Sequence, residues 1–134
     1  YNQLAVVYEK QGRRQEARKL IEETHERFPD YLFARVALAR MKTQEKRFEE
    51  ARDLLKPILM LPRLHISEFR ALARAQMDIA LANNQPEAAR AWLEMWQQVD
   101  EDNPEIAEWK MRIDGPGQLL AELQKLIDRS HKLR

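Results

Sequence analysis

The residues of this chain that could do chemistry are three histidines and two pairs of adjacent carboxylates. His25, His65 and His131 are far apart in sequence, so we interpret them as surface or hydrogen-bonded residues rather than metal ligands. The pairs Glu22-Glu23 and Glu49-Glu50 stand near lysine and arginine side chains that can pair with them along a helix. No phosphate-binding loop and no nucleophile motif accompanies them. We therefore expect no enzyme activity, no metal and no cofactor.

The composition is typical of a helical chain with balanced charge. Charged residues make up 34% of the 134 positions, aromatic residues make up 7%, and glycine occurs only three times. The net charge of +1 gives no reason to expect nucleic acid or an anionic membrane as a partner. No apolar run approaches the roughly 20 residues that cross a bilayer. We therefore expect no membrane insertion within this chain.

The chain has no cysteine, which excludes disulfides, thiolate nucleophiles and cysteine-based metal sites. A chain without cysteine suits the cytoplasm and the periplasm equally; we favour the cytoplasm and keep the periplasm as the alternative. The sequence starts at Tyr1 inside a helical pattern. We interpret it as the C-terminal part of a longer protein, and we derive no oligomeric state from it.

Apolar residues at helical spacing predict eight helices joined by short turns. The predicted ranges, in chain order, are about 1–11, 14–27, 31–43, one from Phe48, one from an N-cap at Ser67 to Ala82, one from Pro86, one from Asn103-Pro104 to Ile113, and 118–132. The sequence DGPG at 114–117 predicts a break between the last two helices.

Two stretches of the chain are nearly the same. RRQEARKLIEE at 13–23 is echoed by RFEEARDLLKP at 47–57, so that Ala17 and Ala51 stand 34 residues apart. The next equivalent alanine, Ala89, follows after 38 residues, which predicts an insertion of about four residues near 60–67. A pair of helices this short cannot bury its own apolar face, so the unit must recur and stack. The recurring alanines predict where the helices approach most closely.

These features resemble the tetratricopeptide repeat. In the first unit, the residues at that family's spacing are Tyr1, Leu4, Ala5, Tyr8, Gly12, Ala17, Ile21 and Pro29. The second unit keeps Leu38, Ala39, Phe48, Ala51 and Leu55, with Arg35 and Lys42 where aromatic residues are usual, and the third keeps Ala89, Leu93 and Trp96. The resemblance implies an all-α, right-handed solenoid of antiparallel helix pairs. We expect one domain with repeats at about 1–30, 31–66 and 67–103 and capping helices at 104–134.

The resemblance also implies a binding groove along the first helix of each pair. On this chain the groove would be lined by Asn2, Val6, Glu9, Phe33, Val36, Arg40, Arg74 and Asp78. Asn2 and Val6 stand where the family's clamp for a C-terminal carboxylate has Lys and Asn, so that clamp is absent. The mixed apolar and basic lining suits an amphipathic helix or an acidic–apolar segment.

The function that we predict is therefore a non-catalytic scaffold, or assembly factor, that holds a peptide or helix of a protein partner. Two alternatives stay open: an RNA-binding helical repeat, which needs a basic polar face, and a regulatory or sensor module of a larger protein. The groove could also be filled by upstream helices of the same protein.

Two apolar features have two interpretations each. The segment LKPILMLPRLHI at 55–66 contains Pro57, which costs a helix about 3 kcal/mol unless its surroundings absorb the kink. The segment is either a longer kinked helix packed on the third pair or an apolar contact for a partner. Trp96 is predicted to be in the core, whereas Trp92 and Trp109 are either core residues or half-exposed contacts.

Overall fold

A computed structural model of the chain describes residues 13–132, without the side chains of 116–120, 122 and 132. This part of the chain contains six helices and no strand, which confirms the all-α prediction. The helices are α1 (Arg14–Arg27), α2 (Leu32–Gln44), α3 (Phe48–Leu59), α4 (Ile66–Ala82), α5 (Pro86–Val99) and α6 (Glu105–Lys132). The helix predicted over 1–11 lies outside the described residues.

Two tight turns join the helices within the pairs α2–α3 and α4–α5. Lys46 and Asn84 take the left-handed conformation, with φ of 63° and 58°. In each turn the following N–H donates to a carbonyl five residues back: Arg47 N to Lys42 O at 2.8 Å and Gln85 N to Ala80 O at 2.7 Å. This pattern satisfies carbonyls at the end of the first helix and reverses the chain. Consecutive helices therefore pack antiparallel.

Helix α4 begins earlier than its sequence predicts. The N-cap is His65 rather than Ser67, because the Nδ1 atom of His65 accepts from the Ser67 N–H at 3.2 Å. Glu68 completes the cap by accepting from the His65 N–H at 2.8 Å. An imidazole nitrogen can replace a serine hydroxyl in a capping box when a glutamate stands three residues later. The predicted N-cap at Ser67 is therefore wrong.

The break predicted at 114–117 is also wrong, because α6 runs without interruption from Glu105 to Lys132. Proline has a fixed φ of about −65°, which is also the helical value. A proline inside a helix therefore costs a backbone hydrogen bond and strains the preceding turn, but it does not force the chain out of the helix. The two C-terminal segments that the sequence separates are one helix of 28 residues.

The core consists of two main clusters that share α4. The first joins α2, α3 and α4 through Leu32, Val36, Ala39, Ala51, Leu55, Ile58, Ala71, Leu72, Ala75 and Ile79. The second joins α4, α5 and α6 through Ala73, Met77, Ala80, Ala89, Leu93, Trp96, Ile106, Trp109 and Ile113. The recurring alanines Ala39, Ala51 and Ala89 have no exposed surface. They are packed between neighbouring helices, where the repeat predicts small residues.

Arg35 replaces an aromatic residue of the family pattern by fixing two backbone carbonyls. Its Nε donates to Pro29 O at 2.7 Å, and its guanidinium NH1 donates to Leu54 O at 3.0 Å. These bonds tie the turn before α2 to α3. A polar side chain thereby holds together helices that an aromatic ring would otherwise join by packing.

The apolar features divide between core and surface. Trp96 and Trp109 are buried in the second cluster, and Trp92 is partly buried between the two clusters. Pro57 lies within α3, which ends only two residues later, so the longer kinked helix does not form. Leu64 packs on the first cluster, whereas Leu59, Met60 and Leu61 are exposed, with 82% of the Met60 surface accessible.

We predict that Ala51→Leu lowers the free energy of unfolding by about 1–3 kcal/mol, because the larger side chain overpacks a contact with no free space. Urea unfolding followed by circular dichroism measures the change. Ala88→Leu, at an exposed position of α5, is the matched control and should change stability by less than about 0.5 kcal/mol. Equal stability of the two variants would mean that Ala51 is not at a close helix contact.

Candidate functional site

The candidate site is the surface shared by the three helices α2, α4 and α6, which we call the first-helix face. Helix α4 packs directly on α2. Three ion pairs join α4 to the turn after α5 and to α6: Arg70 with Asp100, Arg74 with Glu105, and Asp78 with Arg112. Residue numbers rise in the same order on both sides of these pairs. This order shows that α4 and α6 are parallel.

Two of these pairs are bidentate. Arg70 donates to both carboxylate oxygens of Asp100 at 2.7 and 2.9 Å. Arg74 donates in the same way to Glu105 at 2.5 and 2.8 Å. A planar guanidinium that meets a carboxylate through two parallel hydrogen bonds fixes geometry as well as charge. These two arginines therefore hold α4 against the turn after α5 and against the start of α6.

Tryptophan side chains complete both pairs. The indole N–H of Trp96 donates to Asp100 at 2.9 Å, and that of Trp109 donates to Glu105 at 3.1 Å. Hydrogen bonds from Arg70, then from Trp96 and Asn103, hold the pKa of Asp100 well below its usual range. Hydrogen bonds from Arg74 likewise lower the pKa of Glu105. Both carboxylates therefore stay ionised, and their hydrogen bonds join parts of the fold to each other.

The third pair differs because two arginines share one carboxylate. Asp78 lies 3.3 Å from Arg40 of α2 and 3.4 Å from Arg112 of α6. The side chain of Asp78 is only 18% exposed, whereas those of Arg40 and Arg112 are 54% and 56% exposed. They line a hollow of about 520 Å³ together with Thr43, Gln44, Leu81 and Ala82. We call it the arginine hollow; its three charges sum to one positive charge.

The family of the chain follows from a comparison of its sequence with models of known families. A model described as tetratricopeptide repeat matches residues 8–77, which is more than half of the chain. The chain belongs to the tetratricopeptide repeat family. No curated protein and no solved structure matches it. Tetratricopeptide repeats generally mediate protein–protein interactions and are typically non-enzymatic scaffolds.

The structure brings together some of the predicted groove residues. Arg40 and Asp78 form an ion pair across α2 and α4, and Arg74 lies on the same face but is held by Glu105. Phe33 is half-buried at the start of α2, and its ring meets that of Tyr31 edge to face at 5.9 Å. The predicted groove residues of the first tetratricopeptide repeat, Asn2, Val6 and Glu9, lie outside the described residues.

Val36 was predicted to line the groove, and this is wrong, because only 6% of it is exposed. The helical period places Val36 on the same side of α2 as Leu32 and Ala39, which face α3 and α4 in the first cluster. Ala37 and Met41 are half-buried on another side of α2, where they pack on the small cluster of Ile21 from α1 and Leu38.

Arg112, Glu105 and Trp109 were not predicted as residues of the face. They lie on α6, which the sequence assigns to a cap beyond the tetratricopeptide repeats. Arg112 follows Asp78 by 34 residues, which is one repeat period. Extending the period by one more unit would therefore have found it.

The remaining ionisable groups form no second centre in the described part of the chain. The histidines are separate: His65 caps α4, His131 is exposed, and burial followed by the charge of Arg35 lowers the pKa of His25. Among the described side chains, no group of three or more His, Asp or Glu residues could hold a metal ion. Within residues 13–132, no helix combines the length and apolarity needed to cross a membrane.

We predict that Asp100→Asn lowers the melting temperature more at pH 7 than at pH 3. The pKa of Asp100 is lower in the folded state than in the unfolded chain, so its stabilisation is complete well above the unfolded value of about 4 and is lost as the pH falls through the folded value. Differential scanning fluorimetry at several pH values measures this.

Asp102→Asn, an exposed residue of the same turn, is the control and should shift the melting temperature little at either pH. An Asp100→Asn loss that is the same at both pH values would contradict a stabilising charge at Asp100.

Proposed function

We propose that this chain is a non-catalytic docking module that binds a peptide or helix of a partner protein along the first-helix face. The observation that carries the proposal is the arginine hollow. Two guanidinium groups reach solvent there and share a single carboxylate, so a carboxylate of a partner would find an incompletely neutralised site. Hydrogen bonds between a guanidinium and a carboxylate are among the stronger polar contacts at interfaces.

The partner segment combines an acidic residue with an apolar one. The acidic side chain reaches Arg40 and Arg112, and the apolar side chain packs on Phe33, which is half-buried at the start of α2. Phe33 and Arg40 are seven residues apart on this helix, which corresponds to roughly 10 Å. An extended peptide covers that distance in about three residues and a helical one in about seven.

The charge arrangement favours protein over RNA as the partner. Arg40, Arg70, Arg74 and Arg112, the arginines of the face, each pair with a carboxylate of the chain. RNA binding depends on several cations that neutralise phosphates. A face on which every one of these arginines already has a carboxylate suits a partner that adds one negative charge, not a chain of phosphates.

We predict that Phe33→Ala combined with Arg40→Glu abolishes binding of acidic–apolar peptides, because it removes the apolar contact and reverses a charge of the hollow. The probes are an array of synthetic peptides with an acidic residue three or seven positions from an apolar one, with charge-reversed peptides and single-stranded RNA as comparison. Fluorescence polarisation measures affinity, and circular dichroism should show that the variant keeps its helical content.

Lys19→Glu combined with Met95→Ala is the matched control, since both residues are exposed and lie on α1 and α5, away from the face. This variant should bind as the wild type does. Unaltered binding by the Phe33/Arg40 double variant, or a preference of the wild type for basic peptides or RNA, would rule out the proposed site.

A further inference from the structure

The arginine hollow, to which the proposed function assigns an acidic residue of a partner, contains an acidic residue of its own. Asp78 stands between Arg40 of α2 and Arg112 of α6, and only 18% of its side chain is exposed. A site that had only to attract anions would need the two arginines alone. The carboxylate between them lowers that attraction, and so it affects which anions the hollow can bind.

Both arginines keep donors for a second anion. Arg40 meets Asp78 through Nε at 3.3 Å, and Arg112 meets it through one terminal nitrogen at 3.4 Å, each on a different carboxylate oxygen. A guanidinium carries five N–H donors, so one contact of this kind occupies only part of each group. Arg70 and Arg74, in contrast, are each held by two hydrogen bonds of 2.5–2.9 Å. The pairs of Asp78 are the looser ones, so their arginines can still bind an anion.

Arg112 is held in its position by an aromatic ring. Its guanidinium carbon lies 4.3 Å from the centre of the Trp109 ring, which is within the range of a cation–π contact. Trp109 is itself fixed, because it is only 6% exposed and its indole N–H donates to Glu105 at 3.1 Å. Moving Arg112 away from the hollow would break the contact with this ring. An anion that enters must therefore fit beside Asp78 without displacing Arg112.

The charge of the hollow suits an anion with one negative charge. The two arginines and Asp78 sum to one positive charge, so a bound carboxylate makes the group neutral. A phosphorylated side chain carries a charge of about −1.5 to −2 at pH 7 and would leave the group negative. An oxyanion that contacts both arginines must also lie close to the carboxylate that they share. Like charges placed side by side at an interface are strongly unfavourable.

The backbone around the hollow also disfavours a doubly charged anion. The hollow is lined by the last turns of α2 and α4, through residues 40–44 and 78–82. The C-terminal end of a helix carries about half a negative charge from its carbonyl groups. Thr43, whose hydroxyl could donate to a phosphate oxygen, donates instead to Ala39 O at 2.8 Å. Neither the helix ends nor this hydroxyl therefore supplies donors to a phosphate.

We propose that Asp78 is the specificity-determining residue of the arginine hollow, which accepts a single carboxylate and excludes a phosphorylated side chain. The inference rests on the proposed function and names the class of anion that the site takes. Phosphorylation of a serine at the anchoring position of a partner therefore does not create a binding segment, although a glutamate there does. Repulsion of the wrong ligand, rather than added attraction to the right one, supplies this discrimination.

The test compares peptides that differ at one position. The probes are the acidic–apolar array peptides, each made with glutamate, phosphoserine or glutamine at the acidic position, and fluorescence polarisation measures their affinity. The wild type should bind the glutamate peptide at least about tenfold more tightly than the phosphoserine peptide. Asp78→Asn keeps the size of the side chain and removes its charge, so this variant should bind the phosphoserine peptide more tightly than the glutamate peptide.

Asp53→Asn is the matched control, because it removes the same charge from an exposed position of α3. It should keep the wild-type preference for glutamate, which separates a local effect of Asp78 from an effect of net charge. Circular dichroism verifies that Asp78→Asn is folded.

The pH dependence of the wild type is a second measurement, and it needs no substitution. Phosphoserine takes up a proton near pH 6 and then carries about one negative charge, whereas glutamate stays ionised down to about pH 5. Lowering the pH from about 7.5 to about 5.5 should therefore strengthen binding of the phosphoserine peptide relative to the glutamate peptide. A ratio of the two affinities that does not change with pH contradicts exclusion by charge.

The outcomes separate this inference from the proposed function. A wild type that binds glutamate and phosphoserine peptides equally overturns the role of Asp78 and leaves the partner site in place. A folded Asp78→Asn variant that keeps the wild-type preference does the same. A wild type that binds neither peptide more tightly than the glutamine peptide overturns the proposed function. In that case, phosphoserine binding by Asp78→Asn would still support exclusion of phosphate by Asp78, whereas no binding by either protein overturns both proposals.

Discussion

The whole structure depends on how closely neighbouring helices approach. Ala39, Ala51, Ala73 and Ala89 have no exposed surface, and each replaces a side chain whose bulk would separate two helix axes. Helices in contact are 8–10 Å apart, according to the side chains between them. The polar contacts across α2, α4 and α6 depend on this spacing, because an arginine on one helix must reach a carboxylate on the next. The small residues of the core therefore set the geometry of the surface charges.

Much of this fold can be predicted from the sequence, because the same pattern of small and large apolar residues recurs in successive helix pairs. The alanine period predicts the pairing, and the residues that start and end the helices predict most of their bounds to within one or two residues. The predictions failed where one local rule competes with another. Ser67 is a better cap than histidine by residue type, but His65 and Glu68 together satisfy more backbone groups. At 114–117, residues that usually end a helix are accommodated within a continuous one, because the fixed φ of proline is also the helical value.

The candidate site was harder to predict than the fold, since it depends on which side chains can reach each other. The repeat period is enough to predict that Arg40 and Asp78 lie on one face. Whether the two side chains contact each other depends on the distance between α2 and α4. Val36 was assigned to the wrong side because one residue along a helix is a rotation of about 100°. Arg112 was missed because the sequence assigns the residues after 103 to capping helices, so the 34-residue period was not extended from Asp78 to α6.

Helix α4 contributes side chains to both core clusters, with Leu72 and Ile79 on one side and Met77 and Ala80 on the other. In a chain of stacked units, stability is carried by the interfaces between neighbours. Melting α4 would remove one wall from both clusters at once, so neither half of the stack has a complete interior without it. The described helices should therefore lose their structure cooperatively, with the slowest amide hydrogen exchange in α4 rather than at either end of the molecule.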